Sequence, residues 1–203
     1  QQPNPYSLLN NTDKGRTDRL LGNIFIEAKP IAGLTLRVNA GLDHANVDRK
    51  TYQPRSTLNG KNLNGVAYIY NTDNNQYLME ATATYQRTFA DIHSINLLAG
   101  TSYEKFNYEA SELGNNFITD AFLWNNMDAG TGTKITKSTS TENKMMSYFF
   151  RAGYILKNRY LLTATLRADG ASVFAKNNKW GYFPSVAAGW TMSEENFMRN
   201  IDW

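Results

Sequence analysis

Apolar and polar residues alternate with a period of two in several stretches of the chain. The clearest stretch is 34–43, where leucine, valine and alanine hold the even positions and polar residues or glycine hold the odd ones. The same alternation returns in stretches 77–88, 94–104, 146–156 and 160–169, and more weakly in 20–29 and 184–192. A period of two is the repeat of a β-strand with one apolar and one polar face. The pattern predicts about seven strands of roughly ten residues, the length that crosses a bilayer at a tilt.

The links between these predicted strands alternate in length. Short links at 30–33, 90–92 and 157–159 alternate with long ones at 45–76, 105–144 and 170–182, which are rich in Asn, Thr, Ser and Gly. Such composition is typical of solvated loops. In an antiparallel meander, alternate links lie at opposite ends of the strands. The pattern therefore favours an outer-membrane barrel, with short periplasmic turns and long extracellular loops.

A soluble antiparallel sandwich is the main alternative, because it also buries one face of each strand and wets the other. Sandwich strands are usually nearer five or six residues, whereas several here are predicted to be about twice that length. Aromatic residues also recur near the predicted strand ends, where a barrel has its aromatic girdles. These are Tyr77, Tyr85, Tyr103, Tyr160 and Trp190. We predict an all-β chain that forms part of a large antiparallel transmembrane β-barrel, with a soluble sandwich or adhesin-type binding module using its long loops as the alternative.

Composition excludes several other classes of protein. The 203 residues have a mean hydropathy of −0.52, and the longest apolar run, 160–166, stops at Arg167, which is too short for a membrane helix. The net charge of +3 is scattered, so it gives no support to nucleic-acid binding. The absence of cysteine excludes disulfides and thiolate chemistry within the chain.

The sequence contains no complete metal-binding motif. Asn71, Asp73 and Asn75 have the spacing that begins a calcium loop, but the sixth position lacks glycine and the twelfth lacks glutamate. His44 and His93 are far apart in sequence and are interpreted as surface residues. We expect no metal and no cofactor.

An enzymatic role finds no support in the sequence either. There is no nucleophile elbow and no phosphate-binding loop. The adjacent Glu194 and Glu195 are predicted to lie in a capped helical turn over 193–197 rather than to form a catalytic pair. We expect no catalytic residue in this chain.

A longer and more specific pattern covers residues 147–198. It includes YLLT at 160–163, DG at 169–170, KNNKWG at 176–181 and PS at 184–185. This stretch closely resembles the barrel of the SusC/RagA family of TonB-dependent outer-membrane transporters. Weaker similarity extends upstream through 4–10, 19–23 and 33–36, so the resemblance covers nearly the whole chain. Departures at Ala171, Val173 and Ala175, where the family often has serine, arginine and glycine, concern the tip of one loop.

The resemblance implies a barrel of about 22 strands with a plugged lumen. Residues 1–203 are then one segment of the barrel domain, with the plug, the TonB-contacting segment and the remaining strands outside it, and 200–203 is interpreted as the entry into a further strand. The implied function is energised import of oligosaccharides or peptides across the Gram-negative outer membrane. The implied partners are a SusD-like surface lipoprotein, TonB and outer-membrane lipid. A passive porin is a further alternative, which predicts an open conductance.

Two sets of residues are candidates for function. Polar residues on the strands are expected to face the lumen, because a charge facing lipid near mid-membrane costs about 2 to 4 kcal/mol. These lumen candidates are Arg37, Asn39, Asp43, Arg151, Arg167 and Asp169. Aromatic residues in the 105–144 link offer flat apolar surfaces for a sugar or a protein partner. These loop candidates are Phe106, Tyr108, Phe117, Phe122 and Trp124. The plainer interpretations are that the first set contacts the plug or fills the wall, and that the second packs the loop onto the barrel rim.

Overall fold

The computed structural model of the chain describes residues 5–198, so the proposed strand entry at 200–203 lies outside the described residues. The strands are β1 (Thr12–Ile31), β2 (Leu34–Gln53), β3 (Val66–Phe89), β4 (His93–Asn116), β5 (Ile135–Leu156), β6 (Tyr160–Ala171) and β7 (Trp180–Trp190). Short helices are α1 (Pro5–Leu8) and α2 (Leu58–Asn62), together with 3₁₀ turns at Met127–Ala129 and Met192–Glu194. None of the described helices has the length and apolar character needed to cross a membrane.

The seven strands form one antiparallel sheet in which sequence order and spatial order are the same. This meander confirms the all-β prediction and the predicted number of strands. The short links predicted at 90–92 and 157–159 are also confirmed, and the one predicted at 30–33 is shorter, at 32–33. Gly33 has φ of +84° and lies directly against the backbone of Gln86, so that tight turn requires glycine. A sandwich needs two packed sheets, whereas the described strands belong to one.

Strands β1 to β5 have 20 to 24 residues each, so the prediction of roughly ten was wrong for them. Much of the predicted 45–76 and 105–144 loops is strand, and the links that remain are 54–65 and 117–134. Similarly, the third long link shortens to 172–179. Residues 71–75, expected to form a solvated loop, lie inside β3. Stretches such as 71–76 and 136–144 are polar on both faces, so they form strands without showing a period of two.

The chain divides into two compact units. Among the described residues, unit 1 contains 5–21, 43–76 and 106–142, and unit 2 contains 22–42, 77–105 and 143–198. Unit 1 holds a small hydrophobic core of Tyr52, Ala67, Ile118 and Trp124, against which Ile69, Leu123 and Met127 pack. Helix α2 in the 54–65 link is capped by Thr57, whose hydroxyl accepts a hydrogen bond from the Gly60 amide at 3.1 Å.

Unit 2 contains the best-defined register of the sheet. Strand β6 pairs with β5 on one side and β7 on the other, so that residues in a row share a face. One row is Ala152–Ala164–Val186, and its neighbour on the opposite face is Arg151–Thr165–Ser185. The apolar and polar parities assigned from sequence therefore correspond to two distinct faces of the sheet.

Candidate functional site

One face of β5 to β7 is apolar over the rows in which β6 pairs with both of its neighbours. Its rows read Phe150–Leu166–Pro184, Ala152–Ala164–Val186 and Tyr154–Leu162–Ala188. These side chains are largely uncovered by protein, with Val186 exposed to 75% and Leu166 to 50%. Exposed apolar patches of this extent mark contacts with a partner or with a membrane.

Aromatic residues occupy both ends of this apolar face. At one end the Tyr148 and Trp180 rings stack with centroids 5.8 Å apart. Trp180 lies over Gly170, where a Cβ atom would be 2.9 Å from the indole. At the other end, Tyr160 is paired with Trp190 in the last row. Amphipathic rings at both ends of an apolar band are typical of a membrane-spanning sheet.

A carboxylate anchors the second aromatic end. Glu195 accepts hydrogen bonds from the Tyr160 hydroxyl at 2.6 Å, the Trp190 indole at 3.2 Å and the Arg159 guanidinium at 3.0 Å. The bonds from Tyr160 and then Trp190 hold the pKa of Glu195 below its usual value. The preceding turn is a 3₁₀ turn without a side-chain cap, so the predicted capping was wrong. Sequence reasoning missed this cluster because its members are up to 36 residues apart.

The opposite face of unit 2 carries a partly buried ion pair. The Arg167 Nε donates to Asp169 at 2.8 Å, and its Nη2 donates to the Ser147 hydroxyl at 3.1 Å. The same guanidinium lies 5.7 Å from the centre of the Phe149 ring. Ser147 itself is fully buried. The structure therefore brings two of the six lumen candidates together, and both have hydrogen-bond partners within the sheet.

The other lumen candidates lie separately. In unit 2, the Arg37 guanidinium is 4.1 Å from the Phe25 ring centre, and the Asn39 Oδ1 is buried without a hydrogen-bond partner among residues 5–198. In unit 1, Asp43 pairs with the Arg19 guanidinium at 2.8 Å. The Arg151 side chain is exposed and lies opposite Thr165 on the polar face.

The five aromatic loop candidates fall into different environments. Phe106 and Tyr108 are inside β4, which corrects their assignment to a loop. Phe117 and Phe122 lie in the 117–134 link and are exposed to 45% and 42%. Trp124 is exposed to only 8% and belongs to the core of unit 1, with the Lys14 ammonium 5.9 Å from its ring. Trp124 therefore packs the link onto the strands, whereas Phe117 and Phe122 are exposed and available for contact with a ligand or a partner protein.

The 117–134 link is held by two polar anchors that sequence reasoning did not single out. The buried Asn115 amide donates to the carbonyls of Met127 at 2.8 Å and Gly130 at 3.0 Å. The buried Tyr52 hydroxyl bonds the Ile118 carbonyl at 3.0 Å and the Asp120 carboxylate at 2.6 Å. No local pattern distinguishes Asn115 from the other asparagines of the chain.

The histidines make ordinary hydrogen bonds. The His44 Nδ1 lies 2.6 Å from the Asn75 side-chain oxygen, and the His93 Nδ1 lies 2.6 Å from the Tyr154 hydroxyl. Within residues 5–198, no three His, Asp or Glu side chains are grouped as metal ligands. The asparagines and aspartate considered for calcium lie along one extended strand, which cannot wrap an ion as a calcium loop does.

Comparison with known proteins gives relatives over nearly the whole chain, although no protein-family model matches it. TonB-dependent receptor P3 of Formosa agariphila is 32% identical over 199 residues, which cover 97% of this chain and 20% of the receptor. TonB-dependent receptor SusC of Bacteroides thetaiotaomicron is 31% identical over 208 residues, covering 98% of this chain and 20% of that protein. The chain thus spans about a fifth of the length of the curated relatives it matches.

Solved structures share the fold. The structure of the RagAB peptide transporter superposes with a TM-score of 0.86 at 20% identity, covering 98% of this chain and 22% of that one. The same transporter in an open state gives a TM-score of 0.87. The sequence identity to the receptors shows that the chain belongs to the SusC/RagA family of TonB-dependent receptors, and the common fold shows that it corresponds to a stretch of their β-barrel.

Proposed function

We propose that the chain is a wall segment of the barrel domain of an outer-membrane importer that takes up glycans or peptides in a Gram-negative bacterium. The observation that carries this proposal is the uncovered apolar face of β5 to β7, which has aromatic residues at both ends. Lipid acyl chains are the expected neighbours of such a face, because contact between this apolar surface and water would be unfavourable.

The polar face supports a lumen in which the six candidates have different roles. Arg167 and Asp169 satisfy each other, so their role is to stabilise the wall. The Arg151 side chain has no hydrogen-bond or ion-pair partner within the described residues. A guanidinium presented in this way suits a carboxylate or a carbonyl of the plug or of a passing substrate. We therefore assign contact in the lumen to Arg151 before the others.

The two links of unit 1 support contact with a surface lipoprotein of the SusD type. They are joined by hydrogen bonds from the Phe117 amide to the Leu63 carbonyl at 3.1 Å and from the Ile118 amide to the Gly65 carbonyl at 3.5 Å. Behind them lies the core that contains Trp124. Phe117 and Phe122 are thus exposed aromatics on an ordered support, which lowers the entropic cost of binding. Energy from TonB would reach the transporter through a segment outside this chain.

Single-cysteine labelling tests the membrane placement directly, because this chain has no cysteine of its own. Val186→Cys and Ser185→Cys are neighbours on opposite faces of β7. In membranes carrying the full-length protein, a lipid-soluble maleimide should label Val186→Cys, and a water-soluble maleimide should label Ser185→Cys. The reverse labelling pattern would refute the assignment of faces.

Uptake is tested with the full-length transporter in its own host. The double substitution of Phe117 and Phe122 by Ala should weaken substrate-dependent growth and lipoprotein association, while the barrel remains heat-modifiable on a gel. The matched control is substitution of Phe174 by Ala, an exposed phenylalanine of the 172–179 link in unit 2. Unchanged uptake and association in the double variant would exclude these rings from binding.

A further inference from the structure

A polar groove crosses the middle strands of unit 1. Its volume is about 430 Å³, which is within the range of about 300 to 1,000 Å³ found for pockets that hold small ligands. Strands β2, β3, β4 and β5 all contribute to its lining. Among the described residues of the lining, Ala110 is the only apolar one, and the others are asparagine, aspartate, glutamate, serine and threonine. The groove therefore offers hydrogen-bonding groups set among the short carbon chains that carry them.

Pairs of residues two positions apart supply most of these groups. A spacing of two puts both side chains of a pair on the same face of their strand. The pairs are Asn71 and Asp73 on β3, Glu109 and Ser111 on β4, and Ser138 and Ser140 on β5. These strands are neighbours in the sheet, with about 4.8 Å between adjacent strands. Donors and acceptors are therefore closely spaced across the floor of the groove.

Most of these side chains have no partner within the protein. The Glu109 side chain is exposed and makes no hydrogen bond or ion pair among residues 5–198. The same is true of the side chain of Asn46, which β2 adds to the lining, and of those of Ser111, Ser138 and Ser140. Water hydrates these groups in the free protein, so a ligand must replace the hydrogen bonds of that water in order to bind.

Two further acceptors lie at the groove or beside it on the same strands. The Asp73 carboxylate is held in place by a hydrogen bond from the Asn75 amide, and the His44 Nδ1 lies 3.9 Å from it. On β4, the buried Oδ1 of Asn107, two residues before Glu109, has no hydrogen-bond partner among the described residues. One fixed and one unpaired carboxylate thus border the groove, with an unpaired amide oxygen close by along β4.

The lining selects its ligand by hydrogen-bonding chemistry. Ionised carboxylates only accept hydrogen bonds, whereas serine hydroxyls and asparagine amides both donate and accept them. A matching ligand must therefore donate to Asp73 and Glu109, where the bonds are strongest, and exchange both kinds of bond with their neighbours. An anion would be repelled by the two carboxylates. Within residues 5–198, no three His, Asp or Glu side chains are grouped for a metal ion. The adjacent hydroxyls of a sugar ring meet the requirement, and its C–H groups fit the carbon surface between the polar groups.

We propose that this groove binds a saccharide, whose adjacent hydroxyls donate to Asp73 and Glu109 and accept from the Asn46 amide. Unit 1 also contains the two longest links between the described strands, and outer-membrane barrels have their long loops outside the cell. The saccharide is then either the sugar chain of a membrane glycolipid or a free oligosaccharide, which share the same hydroxyl chemistry. The site goes beyond the proposed function, since it belongs to the strands of unit 1 and involves neither Arg151 nor the exposed rings of the 117–134 link. Only its placement outside the cell rests on that function.

The test measures binding to immobilised full-length transporter by surface plasmon resonance. The probes are lipopolysaccharide from the host, the polysaccharide that mild acid releases from it, and maltoheptaose as a free oligosaccharide. The double variant Glu109→Gln and Ser140→Ala should bind saccharide about tenfold more weakly than the parent, because it loses a charge-assisted hydrogen bond and a neutral one. Neither side chain has a partner among the described residues, so the fold should be unaffected. The matched control is Asp91→Asn in the 90–92 link, which also removes an exposed carboxylate and should bind as the parent does.

The three probes identify the source of the saccharide. Binding of both lipopolysaccharide and its released polysaccharide assigns the site to a glycolipid, and binding of maltoheptaose alone assigns it to a free oligosaccharide. Binding of lipopolysaccharide without the released polysaccharide would show recognition of the lipid part, and loss of binding in EDTA would show a metal bridge. Either result would overturn the saccharide site, as would equal affinity of the double variant and the parent, or binding of none of the probes.

Two controls separate this inference from the proposed function. Heat-modifiability of each variant establishes that its barrel is assembled. Labelling of Val186→Cys by the lipid-soluble maleimide tests the membrane placement without any saccharide. A failure of the saccharide site and a failure of the proposed function are therefore distinguishable.

Discussion

Replacing Ala164 by Arg is expected to destabilise the inserted barrel by about 2 to 4 kcal/mol. Ala164 lies in the central row of the apolar face, between Ala152 and Val186. An arginine there would project into the hydrocarbon of the bilayer, where its guanidinium has no partner. The neighbouring substitution Thr165→Arg is the matched control, since Thr165 faces the other way, between Arg151 and Ser185.

The position of Ala164 along β6 sets the size of the effect. Tyr160, at one aromatic end, is four residues away, and Ala168, level with Tyr182 at the other end, is four residues away in the opposite direction. At about 3.3 Å per residue, each end is about 13 Å along the strand from Ala164. With a strand tilt of about 40°, that is about 10 Å of bilayer depth on each side. Ala164 is therefore near the midplane, where the cost of a charge is greatest.

The assay compares the two variants in the full-length protein folded into lipid vesicles. The measurements are the urea concentration at the midpoint of unfolding and the heat-modifiable fraction on a gel. Ala164→Arg should lower both quantities clearly, and Thr165→Arg should lower them less, because its new charge joins a polar surface. Equal losses, or a larger loss for Thr165→Arg, would refute the assignment of the two faces.

Three further predictions concern single contacts. Gly170→Ala should force Trp180 off its position and remove its ring stacking, a loss of about 0.5 to 1.5 kcal/mol that tryptophan emission and the urea midpoint would report. The pKa of Glu195 is lowered in the folded protein, so its ionised form stabilises the fold above the unfolded-state pKa of about 4.3, and this stability is lost as the pH falls through the folded-state pKa. The variant Glu195→Gln should therefore flatten the acid side of a plot of urea midpoint against pH. Trp124→Ala should cost about 3 to 5 kcal/mol of local stability and expose the 117–134 link to protease, whereas Phe122→Ala should leave cleavage unchanged.

Sequence reasoning located strands where one face is apolar and the other polar. Stretches 34–43 and 160–169 lie inside β2 and β6, and the two parities of 160–169 match the two faces that the register of β6 defines. It did not predict the strand segments in which both faces are polar, as at 71–75 in β3. A period of two reports the difference between two environments, so a strand with the same environment on both sides leaves no such signal.

The candidate site was predictable to a similar extent. Arg167 and Asp169, two residues apart on one strand, were expected on the same face, and they form an ion pair there. The third member, Ser147, comes from β5 and depends on a register that no local pattern encodes. Similarly, composition alone does not separate the buried Trp124 from the exposed Phe122, because both are aromatic residues in one polar link.

The two units differ in what stabilises them. In unit 2, apolar side chains are left for lipid to cover. In unit 1, the strands carry exposed ion pairs such as Arg49 with Asp13, and pairs of this kind contribute little because water and salt screen them. The apolar contribution comes instead from the core around Tyr52 and Trp124, which closes the ends of β2 and β4 with their links. Loss of that core should therefore impair the presentation of the links and not the insertion of the wall, since the burial that stabilises each unit is made by different residues.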